Sequence, residues 1–580
     1  MTGVLTRDAP ALRRTVHTAV PDAWGYLSAV VIGSILIVIT GLHQPLNQNE
    51  IQQIRPYGSL DVHAIVSATR QPPLDPLVGT LVQAVLGKGL WQQRLLPILA
   101  GIGTLVFLAL LLRRLRTEWG GAIGLLIVAT SPLMVRFSPY DRPYATPLFL
   151  MILFCYAAQR WLDDRQRRWL ALLAVVAVAL PLTRVPEPSV LLATTGLGLT
   201  VLAWRKRRTW AEILPVVAIS WLAMLFVAYP MYRQLKSSAS GIAQTNLLDA
   251  ITSSPSGMKK LVTVVVPILG EWFPLRPLTL LLLLTSLLIP AARRRLLSWW
   301  FFLPLALAPI AFAVLYYIEI RYSLLPYRPR HAYFFVPVLA LVASAVATVA
   351  IGEAGSRTPR RVQVFTALLL GAVVLGQLPA TAKVVFGKEA ADFALASHVL
   401  TSEVPCNATV LYNNPTEPGQ WQQSFLGSPR WMGKHPRVVS VHSTTPHVGR
   451  IPDRGQPIYI LLLDSQCGSA VCDLPAKPWA VHIDGWTVER FDRFALYRPT
   501  DGQTGRRGAL QAAMEFRRAM SPSLGYSWTF AAMGLIARQG DVGRAHQLLE
   551  RLYRQVGADS AAEIARKNAQ HPLSPWNKSG

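Results

Sequence analysis

The chain has 580 residues, of which 52% are hydrophobic and 15% are charged, and its mean hydropathy is +0.33. Soluble domains carry about 25% charged residues, so this composition excludes a wholly soluble protein and predicts a membrane protein. The formal net charge of +26 is of the kind that attracts nucleic-acid phosphates. Many of these charges stand in short loops between apolar segments, however, and no groove-reading motif is present, which argues against nucleic acid as a partner.

Apolar segments recur along the first two thirds of the chain, and each approaches the roughly 20 residues that a membrane-spanning helix needs. No small-x-small cleavage site follows the first segment, and further spans come after it, which favours a signal anchor over a cleaved signal peptide. We predict about eleven spans, approximately 24–42, 95–112, 119–135, 144–160, 169–183, 189–204, 210–228, 275–290, 298–318, 332–351 and 363–384.

Arginine and lysine are concentrated in every second loop between these spans. Because short cytoplasmic loops of membrane proteins are enriched in these residues, we expect a plasma-membrane protein with a cytoplasmic N-terminus, residues 1–23, and an external C-terminus. The basic loops are those after the second, fourth, sixth, eighth and tenth spans, namely 113–116, 160–168, 205–208, 293–295 and 357–361.

Two external segments interrupt the predicted transmembrane domain of 24–385. The first runs over 43–94, and its stretch Ile51–Thr69 is amphipathic enough for an interfacial helix that ends before Pro72-Pro73. The second runs over 229–273 and contains Ser-rich and Gly-rich portions that are typical of flexible loops. Such loops are able to cover a site.

Beyond about residue 386 the pattern changes to that of a water-soluble domain. Short β-branched or alternating runs, separated by Pro and Gly, predict strands, and we expect 386–500 to be an external α/β domain. Residues 500–507 form a predicted linker, and 508–580 are predicted to be helical. Within that region one helical hairpin of the tetratricopeptide type is predicted, and a single repeat serves as a cap because a solenoid needs about three. The predicted strands are Val410–Tyr412, Val438–His442, Ile458–Leu463 and Trp479–Tyr497, and the predicted hairpin is Ala531–Gln539 with Ala545–Tyr553.

The four cysteines are divided between the two regions. Cys155 lies in the fourth predicted span and is expected to be a small buried hydrophobe. Cys406, Cys467 and Cys472 lie in the C-terminal domain, which the topology places in an oxidising compartment, so a Cys467–Cys472 disulfide is compatible with the sequence. A zinc site is the weaker interpretation, since Cys-x4-Cys without a second pair is poor ligand spacing.

Acidic residues at the edge of a membrane are costly to place there and are therefore functional candidates. Glu50 follows the first span within Gln48-Asn49-Glu50-Ile51. A carboxylate held there, partly desolvated, is able to accept a proton, and general-base catalysis of this kind contributes roughly 10²–10⁴-fold to a rate. The alternative is a solvated loop carboxylate, which is the better interpretation for any isolated glutamate.

A second polar group stands between the third and fourth spans, where Asp141-Arg142-Pro143-Tyr144 occupies one short external turn. The alternative interpretation of this turn is an Asp141–Arg142 pair at the surface, which contributes little to stability. Two other elements are uninformative when taken singly. Gln71-Pro72-Pro73-Leu74 ends helical structure, and Arg94 is placed like an arginine that snorkels at the outer end of a span.

Taken in order, these elements resemble the membrane glycosyltransferases of the glycosyltransferase C superfamily, in particular the protein O-mannosyltransferase and lipid A aminoarabinose-transferase group. That group shows Asp-Glu in the first external loop, then His-Pro-Pro-Leu, Arg-Leu-Pro, Ser-Pro and Arg-Glu-Ala-Arg-Pro-Tyr-Ala. The resemblance covers roughly residues 20–385. The corresponding residues here are Asn49-Glu50, Gln71-Pro72-Pro73-Leu74, Arg94-Leu95-Leu96-Pro97, Ser131-Pro132 and Asp141-Arg142-Pro143-Tyr144-Ala145.

This chain departs from the group at three positions that carry chemistry. Asn49 replaces the usual catalytic aspartate, Gln71 replaces the histidine, and the acid near the fourth span has moved to Asp141. The sequence leaves three interpretations open: Glu50 is the catalytic acid, Asp61 or Asp75 of the same segment substitutes for it, or the chain is inactive. The departures indicate a divergent subgroup.

The resemblance implies an inverting glycosyltransferase that moves a sugar from a polyprenyl-phosphate donor to an acceptor outside the cytoplasm, which is a cell-envelope glycan, a lipid or a protein. Glu50 would be the base, and Asp141 would orient the acceptor or the base. A basic group before the tenth span would hold the phosphate, although interfacial anchoring explains it equally well. The 386–580 region would bind the acceptor or cover the site. The predicted substrate contacts are Asn49, Asp61, Arg142, Tyr144, Arg321, Tyr322, Arg328, Arg330 and His331, with Arg184, Glu187, Arg233 and Lys236 as further candidates on the same side.

Cofactors and other functions are weakly indicated. No cluster of Asp, Glu or His has metal-ligand spacing, although a divalent cation at Glu50 and Asp141 stays open. The lack of an Asp-x-Asp motif argues against a nucleotide-sugar donor.

The alternative functions are an envelope polysaccharide polymerase or ligase that uses diphosphate-linked glycans, a lipid-linked-sugar transporter, and an inactive scaffold. A transporter would place charges near mid-membrane, whereas the charges here stand at the ends of the spans.

Overall fold

The structure is a computed structural model, and its described residues divide into two compact units. The first unit lies within 1–44, 59–323 and 327–387, and the second within 45–58 and 388–580. The described residues are 19–44, 50, 72–87, 90–115, 117–206, 210–238, 276–320, 329–352, 358–387, 393–412, 436–440, 455–463, 482–491, 494–500, 503–505, 508–509, 511–512, 542–555 and 559–570.

The first unit is helical throughout its described part. A π-helical turn, Met224–Ala228, joins α9 to α10, and a 3₁₀ helix, Pro329–Phe335, precedes α14. The helices are α1 (Ala19–His43), α2 (Leu74–Leu86), α3 (Leu90–Arg114), α4 (Glu118–Ala129), α5 (Pro132–Phe137), α6 (Ala145–Asp164), α7 (Arg167–Thr183), α8 (Pro186–Lys206), α9 (Trp210–Ala223), α10 (Tyr229–Ser238), α11 (Arg276–Leu288), α12 (Pro290–Ser298), α13 (Phe302–Ile320), α14 (Val336–Ala350) and α15 (Arg360–Phe386).

Several of these helices are able to cross a membrane, and the chain is a multi-pass membrane protein. Within the described ranges six are long and apolar enough: Ala23–His43, Trp91–Arg114, Ala145–Asp164, Trp210–Arg233, Tyr333–Ala350 and Arg360–Phe386. A seventh is counted if α12 and the first part of α13, which are bent by 88°, form one span. The number that qualifies is therefore smaller than the eleven spans predicted, although each predicted span coincides with helical structure.

The third predicted span, 119–135, shows why the two numbers differ. Its helix α4 ends at Ala129 after 12 residues, and Ser131 then caps α5 by accepting a hydrogen bond from the backbone N–H of Met134, with Pro132 at the first helical position. A proline at that position starts a new helix because its ring prevents the preceding residue from staying helical. The apolar pattern thus continues across a break in the backbone.

The packing core of this unit is the crossing of α4 and α14. α14 is almost wholly enclosed, and α4 presents Gly120, Gly121 and Gly124 on a buried surface. A Cβ added at Gly124 would lie 2.6 Å from the backbone nitrogen of Ser344 and 2.8 Å from the carbonyl oxygen of Ala340. Small residues let two helical backbones approach closely in membrane proteins, and here only glycine allows the observed distance.

Polar side chains also link helices of this unit. Gln377 on α15 donates from Nε2 to the Ile127 carbonyl oxygen at 2.9 Å and to Thr130 Oγ1 at 2.7 Å. Thr381 donates to the Thr130 carbonyl oxygen at 2.7 Å. These bonds satisfy carbonyl groups that the end of α4 leaves without intrahelical partners, so α15 stabilises the break between α4 and α5.

The second unit contains one mixed sheet and helices. Helix α16 (Phe393–Glu403) precedes a five-stranded sheet of order β2-β1-β3-β5-β4, in which β2, β1 and β3 are parallel and β5 is antiparallel to both β3 and β4. The strands lie where the alternating runs predicted them, and the last predicted run is a two-stranded antiparallel pair. They are β1 (Thr409–Tyr412), β2 (Arg437–Ser440), β3 (Ile458–Leu463), β4 (Trp486–Arg490) and β5 (Phe494–Pro499).

The segment predicted to be a linker, 500–507, is attached to this sheet. Gln503 accepts from the backbone N–H of Ile458 at 3.1 Å, and Gly505 donates to the carbonyl oxygen of Gln456 at 2.8 Å. The prediction was wrong because Gly and polar residues mark turns without showing whether the turn pairs with a strand. Farther along, α17 (Val542–Gln555) packs against α18 (Asp559–Gln570).

The structure tests the predictions for two cysteines and for the end of the seventh span, and other predictions lie outside the described residues. Cys155 is buried in α6, as predicted, and Cys406 is exposed. Past the predicted end of the seventh span at 228, the helix continues to Ser238. Ile51–Thr69, Ser253–Gly257, Ala531–Gln539, Cys467 and Cys472 lie outside the described residues.

We expect Gly124→Ala to destabilise the first unit by about 1–3 kcal/mol, since the added methyl would overlap the backbone of α14. The measurement is thermal unfolding of the purified protein in detergent. Gly371→Ala on α15 is the matched control, because a Cβ there meets no atom within 4 Å. Equal midpoints for the two variants would contradict the close packing of α4 on α14.

We expect the α17–α18 hairpin to lose stability as the pH falls below about 6.5. Burial of His546 lowers its pKa, and neither ring nitrogen has a hydrogen-bond partner in the described part of the chain. The folded hairpin therefore disfavours the imidazolium, while the unfolded chain binds the proton freely. Hydrogen exchange of residues 542–555, corrected for intrinsic rates, should show weaker protection at pH 5 than at pH 8. His546→Leu should remove this difference; a difference that persists would contradict the role of His546.

Candidate functional site

The structure describes some of the predicted site residues, whereas others lie outside the described ranges. Asp141, Arg142 and Tyr144 are described in the first unit, and Glu50 is buried and belongs to the second unit. Arg330 and His331 begin the 3₁₀ helix, where only their backbone is described. The remaining predicted contacts lie outside the described residues, namely Asn49, Asp61, Arg321, Tyr322 and Arg328.

The turn before α6 is tightly folded and buried. The backbone N–H of Arg142 donates to the Tyr140 carbonyl oxygen at 2.7 Å, and that of Tyr144 donates to the Arg142 carbonyl oxygen at 2.6 Å. These two short-range bonds reverse the chain just ahead of the helix. Asp141 and Tyr144 are each only 6% exposed. Asp141 is therefore a buried carboxyl group, and the alternative of an exposed Asp141–Arg142 surface pair is wrong.

Aromatic rings connect this turn to the 3₁₀ helix. Tyr144 lies 6.4 Å from Phe334, and Phe137 lies 6.2 Å from Tyr333, between ring centroids. The hydroxyl of Tyr333 also forms a hydrogen bond of 2.9 Å with Ser138 Oγ. The predicted acidic turn and the segment that carries Arg330 and His331 are thus packed together, although nearly 200 residues separate them in sequence.

A buried ion pair stands beside the same rings. Arg184 donates from Nε and Nη2 to the two carboxylate oxygens of Glu187, at 2.6 and 2.9 Å, and Glu187 is fully buried. The guanidinium lies 5.2 Å from the ring centroid of Tyr144 and 5.1 Å from that of Phe334. Glu187 is in the first turn of α8, where the helix dipole favours a negative charge. The sequence ranked these two residues only as secondary candidates.

A further buried acid lies at the start of α2. Asp75 is 5% exposed, and the Thr146 side chain, in the first turn of α6, forms a hydrogen bond with its carboxyl group. Burial raises the pKa of Asp75 to about 7, and the hydrogen bond from Thr146 opposes this rise only partly. The sequence named Asp75 only as an alternative base, since its burial has no signature in the local pattern.

Asp75, Asp141, Tyr144, Thr146, Arg184 and Glu187 are called the α6 site below. Among the described residues no group of three or more His, Cys, Asp and Glu side chains is arranged to hold a metal ion.

Arg94 has a structural position that differs from the predicted one. It is 3% exposed, and its Nη1 donates to the carbonyl oxygens of Gly41 at 2.9 Å and Gln44 at 2.5 Å. Gln44 in turn donates to the carbonyl oxygens of Val384 and Gly387. Arg94 therefore caps the C-terminal end of α1 and joins it to α3, and the snorkelling interpretation is wrong because the side chain points into the protein.

We expect Glu187→Gln to destabilise the first unit by about 1–3 kcal/mol, because it removes the carboxylate that pairs with the partly buried Arg184 guanidinium. The double variant Arg184→Met with Glu187→Gln should lose less than the sum of the two single losses. Thermal unfolding in detergent measures both.

Glu563→Gln is the matched control, since Glu563 forms the same i,i+3 pair with Arg566 at an exposed position. No measurable loss is expected there. A loss in Glu187→Gln no larger than in this control would contradict the buried pair.

Comparison with known proteins gives a family match to part of the chain. Residues 70–232 match the model of a family described as dolichyl-phosphate-mannose-protein mannosyltransferase. No curated protein sequence matches the chain at a significant level.

Among solved structures, ArnT from Cupriavidus metallidurans bound to undecaprenyl phosphate is 13% identical, with a TM-score of 0.42 over 83% of this chain and 98% of that one. The oligosaccharyltransferase of Archaeoglobus fulgidus is 12% identical, with a TM-score of 0.43 over 75% and 68%. The mycobacterial arabinofuranosyltransferase AftD is 14% identical, with a TM-score of 0.38 over 82% and 41%.

The family match covers all six residues of the α6 site and the Arg94 motif. It agrees with the resemblance inferred from Pro72-Pro73-Leu74, Arg94 and the Asp141–Ala145 turn. The chain is thus a multi-pass membrane protein whose residues 70–232 are similar to the family described as dolichyl-phosphate-mannose-protein mannosyltransferase.

Proposed function

We propose that this chain is an inverting glycosyltransferase that moves a sugar from a polyprenyl-phosphate donor to an acceptor outside the cytoplasm. The observation that carries the proposal is that the family match spans the whole α6 site, with its buried carboxyl groups and its partly buried arginine. The family description names mannose linked to a lipid phosphate, which supports a donor of this chemical class.

The proposed topology has about eleven spans, a cytoplasmic N-terminus and an external C-terminal domain. It is supported by the alternation of basic and non-basic loops, since arginine and lysine are retained on the cytoplasmic side. In this topology the start of α6 faces the outside, while its end, near Arg160, Arg165 and Arg167, faces the cytoplasm. The transfer would then take place at the outer surface of the plasma membrane.

The proposed chemistry requires a proton acceptor for the incoming hydroxyl group. A carboxylate of the first external segment fills this role, with Glu50 as the first candidate from sequence and Asp61 and Asp75 as the alternatives. Asp141 orients the acceptor, and Asn49, Arg142 and Tyr144 contact the substrates. General-base assistance of this kind contributes roughly 10²–10⁴-fold to the rate.

The leaving group is a phosphate whose negative charge increases as the bond to the sugar breaks. Guanidinium groups that hold it gain interaction in the transition state, and this gain accelerates the step. Arginine suits phosphate because it donates two parallel hydrogen bonds. In the proposal Arg321, Tyr322, Arg328, Arg330 and His331 form this phosphate-binding group.

The test is mass spectrometry of membrane lipids from strains that carry the wild-type protein, a deletion or Glu50→Gln. One polyprenyl-phosphate sugar should accumulate in the deletion and decrease when the wild-type protein is overproduced. The same accumulation in Glu50→Gln would assign the base to Glu50.

An unchanged lipid pool in both the deletion and the overproducing strain would overturn the polyprenyl-phosphate donor. Accumulation of long diphosphate-linked glycans would instead identify a polymerase or ligase.

A further inference from the structure

Asp75 differs from Glu187, a second buried acid of the α6 site, in the hydrogen bonds that its carboxyl group makes. Both carboxylate oxygens of Glu187 accept hydrogen bonds from Arg184. In contrast, Asp75 Oδ1 is buried and has no hydrogen-bond partner in the part of the chain that the structure describes. A buried polar atom without a partner is costly, and such atoms require an explanation. A bound hydroxyl group would supply the missing partner.

The backbone holds Asp75 in a fixed position. Pro73 caps α2, the backbone N–H of Leu77 donates to the Pro73 carbonyl oxygen at 3.0 Å, and Thr80 Oγ1 donates to the Pro76 carbonyl oxygen at 2.8 Å. Prolines on both sides of the Leu74-Asp75 pair restrict its backbone. Asp75 is thus placed on a rigid helical turn, as a catalytic group should be.

The position of Asp75 is also appropriate for contact with substrate. Thr146, which forms a hydrogen bond with its carboxyl group, follows Tyr144 by two residues and Asp141 by five. Thr146 is thus close to this carboxyl group, while Oδ1 has no hydrogen-bond partner in the described part of the chain. Asp75 therefore adjoins the turn that, in the proposed function, orients the acceptor.

Charged neighbours do not account for the protonation behaviour of Asp75. Burial alone raises its pKa to about 7, and no charged group contributes. Helices α3 and α7 pack on α2. Of the charged groups on or next to these two helices, Arg94 on α3 is bonded to the Gly41 and Gln44 carbonyl oxygens, and Arg184 after α7 is paired with Glu187. Asp141 and Arg142 precede α6. A base whose pKa lies near the working pH is the more effective one.

We propose that Asp75 is the catalytic base of the sugar transfer, in place of the aspartate that Asn49 replaces. This inference rests on the proposed function. The acceptor hydroxyl gives its proton to Asp75 Oδ1 as its oxygen forms a bond to the anomeric carbon of the sugar. The bond from that carbon to the phosphate oxygen breaks, and its electron pair leaves with the polyprenyl phosphate. Asp75 then releases the proton to water.

The experiment compares a deletion strain with strains that carry Asp75→Asn, Asp75→Glu or Glu118→Gln. Glu118→Gln is the matched control, because Glu118 is an exposed acid in the first turn of α4. Asp75→Asn should accumulate the same lipid-linked sugar as the deletion, and the control should not.

Purified variants are then assayed with the lipid extract of the deletion strain as the donor. Asp75→Asn should lose 10²–10⁴-fold in rate, and Asp75→Glu should retain partial activity with a shifted pH profile. In the wild type the rate should rise with pH through about 7 as the carboxyl group ionises.

Thermal unfolding distinguishes a catalytic from a structural role. Burial raises the folded-state pKa of Asp75 above the ordinary value of an aspartate, to about 7, so wild-type stability should fall as the pH rises from about 4 to about 7. Asp75→Asn should lack this fall and should be at least as stable as the wild type at pH 8. A structural carboxylate would give the opposite result, a less stable variant.

The outcomes separate the two proposals. Accumulation in the deletion but not in Asp75→Asn, or loss of activity in Asp75→Asn together with lower stability at pH 8, overturns the assignment of Asp75 and leaves the glycosyltransferase proposal in place. No accumulation in the deletion and no turnover of its lipid extract by the wild-type protein would overturn the proposed function itself.

Discussion

A guanidinium group buried beside aromatic rings needs a counter-charge, and Glu187 supplies it for Arg184. Removing either ion from water alone would cost several kcal/mol, so the two must be buried together. The rings that surround the pair belong to Tyr144, before α6, and Phe334, before α14. Three segments that are far apart in sequence therefore converge on one ion pair, and the position of the acidic turn relative to the 3₁₀ helix depends on it.

The two buried acids Glu187 and Asp75 have opposite physical consequences. Glu187 is neutralised by Arg184 and holds the structure together. Asp75 has no charged partner, and burial raises its pKa to about 7, so the folded protein is less stable whenever this carboxyl group is ionised. Proteins retain such unfavourable groups mainly at functional sites. This difference is the reason for assigning a structural role to one acid and a catalytic role to the other.

Much of the fold follows from local pattern. Helical structure coincides with each predicted span, and the five strands lie within or beside the four predicted runs. Two predicted boundaries were wrong, and at both of them contacts with distant residues hold the observed structure in place. Hydropathy continues across Thr130-Ser131-Pro132, yet the helix stops there because Pro132 begins a new helix, and Gln377 and Thr381 on α15 bind the groups that the break exposes. The predicted linker likewise joins the sheet by bonds to Gln456 and Ile458, which no local pattern reveals.

The sequence alone determined the chemistry available to this protein: a multi-pass membrane chain with acids and prolines at the ends of its spans, in an order that resembles one enzyme family. Only the tertiary structure decided what each polar residue does. Arg94 caps α1, Glu187 neutralises Arg184, Asp141 is buried, and Asp75 Oδ1 lacks a partner in the described part of the chain. The physical reason is that burial and pairing depend on atoms contributed by distant segments, and these quantities set the cost of a charge.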